Sequence, residues 1–113
     1  MKYLLLIYHE EQAFWALSED EKQKMYVEYR QLREELTNNG IFLGGSQLRP
    51  ATTANSVRVR NGKALTIDGP FAETKEQLGG YFLVEVETIE EANKIAARIP
   101  TARTGTIEVR ALA

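Results

Sequence analysis

A carboxylate set before a Gly-Pro turn, with a dense run of charge behind it, is the part of this chain best equipped for chemistry. The stretch reads Asp68-Gly69-Pro70-Phe71-Ala72-Glu73-Thr74-Lys75-Glu76-Gln77-Leu78-Gly79-Gly80-Tyr81-Phe82. Asp68 is the candidate catalytic acid/base group, and Glu73, Lys75 and Tyr81 are candidate ligand contacts, because functional loops have this character. Each has a plainer reading as well. Asp68 can cap the Gly69-Pro70 turn by accepting backbone N–H bonds, and Glu73, Lys75 and Glu76 can be a solvated charge cluster. His9 is the one imidazole of the chain. It titrates near neutrality and so joins the candidates, against the alternative of an ordinary loop histidine. Arg49 and Arg103 complete the set. Guanidinium groups hold anions well, but both can equally pair with nearby acids. Together these residue types suit a small polar or anionic ligand. No nucleophile–base pair is identifiable by spacing. One histidine among scattered acids has no metal-ligand spacing, and Gly44-Gly45 and Gly79-Gly80 lack a phosphate-loop pattern. Neither a metal nor a cofactor is expected.

The elements that must position these groups fit in one domain, since the chain has 113 residues. With 43% hydrophobic and 27% charged residues, the composition is that of a globular protein. A net charge of -2 argues against nucleic acid as a direct partner. The local cations Arg58, Arg60 and Lys63 read as the solvated face of a strand. The absence of cysteine excludes disulfides, thiolate zinc sites and thiol catalysis. The apolar opening, Lys2 to Tyr8, is short and runs into His9-Glu10-Glu11 rather than a cleavage site. A buried strand in a cytoplasmic protein, with no membrane partner, is the expectation.

Lys2–Tyr8 reads as a central strand buried on both faces. Ser18-Glu19-Asp20-Glu21 has capping-box spacing, and Met25, Tyr29, Leu32 and Leu36 then recur at helical spacing up to Asn39-Gly40. Residues 41–48 suggest a second strand. Residues 57–60 and 63–67 flank Asn61-Gly62 as a hairpin, where the apolar pattern favours a bulged three-residue turn pairing Val57 with Leu65. Residues 81–86 form a further strand. Thr88 opens a second helix with Ile89, Ala92, Ala96 and Ile99 inward, and residues 106–112 close the sheet.

The order predicts an α+β fold, a ferredoxin-like split βαβ with an inserted hairpin. Two helices cover one face of such a sheet, yet the strands offer apolar side chains, Phe82 among them, to both. A homodimer closing over the helix-free face is the simplest remedy. Phe14 and Trp15 are expected at that interface rather than in a pocket. The topology gathers His9, Arg49, the Asp68–Gln77 loop and Arg103 at one end of the sheet.

The Asp68-Gly69-Pro70-Phe71 motif with its continuation to Phe82 resembles the DGPF-type members of the YCII-related family. The likeness extends over nearly the whole chain, through Lys2–Tyr8, Gly44-Gly45, Ala97-Arg98-Ile99-Pro100 and Gly105–Arg110. It implies a ferredoxin-like fold assembled as a dimeric α/β barrel. The founding branch of that family carries a proposed histidine–aspartate pair, the histidine on the first helix and the aspartate after the second. Here Met25, Tyr26 and Tyr29 occupy the first region and Pro100-Thr101 the second, so the pair is absent and no catalytic residue is carried over. DGPF-type relatives also occur joined to, or encoded beside, extracytoplasmic-function sigma factors. That implies an alternative role as a regulatory or interaction module.

Overall fold

Alternating apolar residues in a β-favouring run build the first strand, β1 (Lys2–His9). In the computed structural model, which describes the whole chain Met1–Ala113, Tyr3, Leu5 and Ile7 are buried while Leu4, Leu6 and Tyr8 are half-exposed. The expectation of burial on both faces therefore holds for only one face of the isolated chain. A short helix, α1 (Glu11–Trp15), replaces the expected polar loop. No local capping pattern announces it. It is anchored by a tertiary bond, the Glu11 N–H donating to Gln77 Oε1 at 3.1 Å.

The long helix α2 (Glu19–Asn38) begins where Ser18 Oγ accepts from the Glu21 N–H at 3.2 Å. The Glu21 carboxylate accepts from the Ser18 hydroxyl instead of returning to the Ser18 amide. At the other end Gly40, with φ 72°, lets the Ile41 and Gly40 amides donate back to the Leu36 and Thr37 carbonyls. Strand β2 (Phe42–Gln47) follows, then a 3-10 turn at Ala51–Thr53, the hairpin β3 (Asn55–Arg60) and β4 (Lys63–Asp68), and β5 (Gln77–Glu85). Helix α3 (Ile89–Arg98), capped by Thr88, leads through a 3-10 turn at Pro100–Arg103 to β6 (Thr106–Ala111). Its inward stripe is Ala92, Ile95, Ala96 and Ile99; Ile95 takes the place expected for Ile89, which is 43% exposed.

The four-stranded antiparallel sheet has the order β2-β5-β1-β6, as the ferredoxin-like α+β reading requires. Its helix-covered face carries the core: Leu5, Phe82 and Val84 against Leu32, Leu36, Ala92 and Ile99. Strand β5 starts earlier than expected because a bulge between β1 and β5 absorbs Gly79, a residue that counts against a strand in the pattern. Phe82 belongs to the helix-covered face, 3% exposed and edge-on to Phe42 and Tyr29, not to the open face. With both faces apolar, the alternation left the choice of side undetermined. The open face instead holds Tyr81 and Leu83, paired with Leu6 and Leu4 on β1.

The hairpin corrects one register. Arg60 pairs with Lys63 and Val59 with Ala64, so the turn has two residues, with φ 53° at Asn61 and 74° at Gly62. Those angles are the type I′ geometry that Asn-Gly favours. Val57 faces Thr66, not Leu65. Apolar residues align a strand only when a core lies beside it, and β3 and β4 form their own two-stranded sheet with nearly every residue exposed. The projecting arm gives a radius of gyration of 15.8 Å, against about 13 Å for a compact chain of this length.

Candidate functional site

The end of β1 meets the start of β5, His9 opposite Gln77, under the N-terminal half of α2. A cleft of about 440 Å³ opens there between helix and sheet. Its floor is Ile7, His9, Gly79, Gly80 and Phe82. Met25, Tyr26, Tyr29, Arg30 and Arg33 of α2 form the roof, and Phe14 of α1 closes one side. Phe14 thus lies in a cleft wall of its own chain, because α1 folds it back onto the His9 ring at 5.2 Å between centroids. Trp15 is 41% exposed beside it, with the Lys22 ammonium 5.3 Å from its ring.

The bulge explains the histidine. A Cβ at Gly79 would collide with His9 Nε2, so the imidazole occupies the space a side chain would take. Burial lowers the His9 pKa from its ordinary value, with the Glu11 and Glu76 carboxylates pulling more weakly the other way. The ring therefore favours the neutral form, and no protein hydrogen bond engages either nitrogen. A neutral imidazole open to a cleft can accept or relay a proton. Deeper in, Tyr29 Oη and Thr101 Oγ1 share a hydrogen bond of 2.6 Å. Burial raises the Tyr29 pKa, which keeps the phenol protonated. This neutral pair joins α2 to the 3-10 turn that follows α3.

Of the sequence-derived candidates, the structure brings His9 and Arg103 together. Both line a second cleft of about 470 Å³ that shares His9, Phe14, Met25 and Thr101 with the first. Arg103 is committed, however, its two terminal nitrogens donating to the two Glu28 oxygens at 2.8 and 3.0 Å. That bond holds the Glu28 carboxyl below the usual carboxylate value. Glu73 and Lys75 are exposed and border an open depression with Glu10, Glu11 and Thr52. Tyr81 is half-buried on the helix-free face. Arg49 is exposed after β2 and lines none of the larger clefts. Asp68 ends β4 on the projecting arm, exposed and opposite Asn55. The turn after it is tied by other groups: the Gly69 N–H donates to the Ala54 carbonyl at 2.6 Å and Ser56 Oγ donates to the Gly69 carbonyl at 2.8 Å. Convergence at one end of the sheet thus gathers His9, the Gln77 end of the loop and Arg103, while the arm carries Asp68 elsewhere.

Three groups escaped sequence reasoning. Glu11, only 9% exposed, accepts from the Ala51 N–H at 2.7 Å and ties α1 to the turn after β2. Arg30 and Arg33 look like the solvated side of α2. The available signal was their spacing with Tyr26, which runs 26, 30, 33 along the edge of the apolar stripe and so borders whatever the stripe covers.

No group of three or more histidines and acids is placed to hold a metal ion, and no helix is long and apolar enough to cross a membrane. Compared with known proteins, the sequence is 34% identical over 115 aligned residues to an uncharacterised protein of Rhizobium meliloti (strain 1021), covering all of this chain and 93% of that protein. The family model of the YCII-related domain matches residues 1–113. On that full-length match, the chain belongs to the YCII-related family.

Proposed function

We propose that the protein binds a small molecule in the cleft between α2 and the sheet and exchanges a proton with it through His9. The observation that carries this reading is the His9 imidazole, seated on Gly79, disposed to neutrality by burial and free at both ring nitrogens. Tyr29, kept protonated, can donate its O–H to the same ligand when Thr101 Oγ1 is the donor in the bond they share. Asp68 is given no proton-transfer role, since it lies outside the cleft walls. As the chain has one histidine, its ring resonances report the cleft directly. A fragment screen followed by NMR should find ligands that shift these resonances, and His9→Gln should keep the fold while removing any turnover of them. If no fragment perturbs the ring, the cleft is not a ligand site and the reading fails.

The assembly proposed for it is a homodimer closed over the helix-free face, supported by the partly exposed Leu4, Leu6, Tyr8, Tyr81 and Leu83 there. A second reading, an interaction module for a protein partner such as a sigma factor, is favoured by the arm. Val57 and Val59 are 63% and 61% exposed, and Ile67 and Phe71 are 54% and 81% exposed. Deleting residues 56–67 should abolish partner capture in that case and leave ligand binding at His9 intact.

A further inference from the structure

We infer that the ligand of this cleft is a small organic monocarboxylate, its carboxylate held by Arg30 and Arg33 and its apolar body laid against Met25, Tyr26 and Phe82. The inference rests on the cleft being a ligand site and adds the chemical class.

The charge inventory is one-sided. Among the fourteen residues lining the cleft there is no aspartate or glutamate, although the chain as a whole carries more acids than bases. Arg30 and Arg33 stand one turn apart on α2, and neither has a carboxylate within 4.0 Å. Glu34, the acid of the same helix at i,i+4 spacing from Arg30, forms no ion pair within 4.0 Å, while Glu28 pairs with Arg103 at 2.8 Å and Glu35 with Arg98 at 2.6 Å. Two guanidinium groups without counter-ions at the border of a cleft make a site for an anion, and their planar forks match a carboxylate.

The remaining walls say what the anion is attached to. Six of the lining residues are hydrophobic, and Phe14, Tyr26 and Phe82 contribute ring surface. The polar groups at the β2 edge are partly satisfied among themselves, Gln47 Nε2 donating to Tyr26 Oη at 3.3 Å and Ser46 Oγ to the Gln47 carbonyl at 3.2 Å. A bare inorganic anion would leave this surface wet. A volume of about 440 Å³ falls within the ~300–1,000 Å³ of small-molecule pockets and admits a ring or a short alkyl chain behind the carboxylate.

The test uses the intact protein with phenylacetate, 3-phenylpropionate and hexanoate, set against phenylacetamide and inorganic phosphate. The expected result is saturable binding of at least one acid by calorimetry with a shift of the His9 resonances, at least tenfold weaker binding of the amide, and none of phosphate. Arg30→Gln with Arg33→Gln should bring acid and amide to equal affinity while the fold, followed by circular dichroism, is kept. Charge reversal with Arg33→Glu alone should abolish acid binding, which serves if the double variant does not fold. Amide binding as tight as that of the acid overturns the carboxylate assignment and leaves the His9 cleft as a site. Binding of phosphate alone, or of none of the three acids, overturns it also. Only failure of every fragment to shift His9 counts against the cleft itself.

Discussion

His9 and Gly79 act as one unit, because the ring fills the volume in which a side chain at 79 would stand. Gly79→Ala should expel the imidazole from its seat, so ligand-induced shifts of His9 should fall at least tenfold. A variant that binds as before would show that the seat is not needed. The histidine also leaves a mark on stability. Its pKa is lowered in the folded protein, so the unfolded chain takes the proton first as pH falls. The neutral ring's contribution is complete above the ordinary value of 6.5 and is lost as pH drops through the lowered folded value. Urea unfolding from about pH 7.5 down to about pH 5 should show this decline, and His9→Gln should flatten that part of the slope. The importance of His9 was half-legible in the sequence: its residue type and place after β1 marked it. Its seat was not, because a bulge that makes room for a ring depends on two strands 68 positions apart, His9 opposite Gln77. Asp68 shows the opposite case. Its neighbours look like a site, yet the turn beside it is closed by Ala54 and Ser56 without its carboxylate.

Among the elements, the segment after β1 depends on tertiary bonds more than on its own propensity. Five residues of helix have no side-chain cap, and what fixes them is Gln77 at the amide of Glu11 and the Glu11 carboxylate at the amide of Ala51. Glu11→Ala leaves the Ala51 amide without its partner and should cost about 1–3 kcal/mol in chemical denaturation. Glu11→Gln, which keeps an acceptor, should recover most of it. Such links join distant parts of the chain, which is why α1 was invisible to pattern while α2 and α3, with their Ser18 and Thr88 caps, were not. The hairpin teaches a related lesson. Its turn chemistry was readable from Asn61-Gly62, but the apolar alternation misled because no core lies beside it. Gly62→Val would force a β-branched residue to φ 74°. The cross-strand contact of Val59 with Ala64 should disappear from NMR spectra, with little change in the four-stranded sheet.

For the molecule as a whole, the four-stranded topology was legible because two caps, one glycine stop and the strand runs all agree with one fold. The side of the sheet to which Phe82 belongs was not, since both faces of β5 are apolar. The structure identifies Leu6 and Tyr81 as neighbours on the open face. Leu6→Asp should therefore convert the proposed dimer to a monomer, as an unpaired charge there would be buried on assembly. Multi-angle light scattering decides it: a wild-type chain that is monomeric at micromolar concentration rejects the dimer, and an unaltered dimer in the variant rejects this face.

The position of β1 has a consequence for how the chain comes to be folded. It is made before the other strands of its sheet and lies in the middle of it, with Tyr3 paired to Val84 on one side and to Ala111 on the other. Neither neighbour exists while residues 1–76 are being synthesised. An apolar strand with two open edges must therefore wait at the ribosome until the far end emerges. Helix α2 can form early, but the sheet closes late and by long-range contacts, which sets a slow folding step. Chains arrested before β6 should accumulate in aggregates or on chaperones, whereas full-length chains should not.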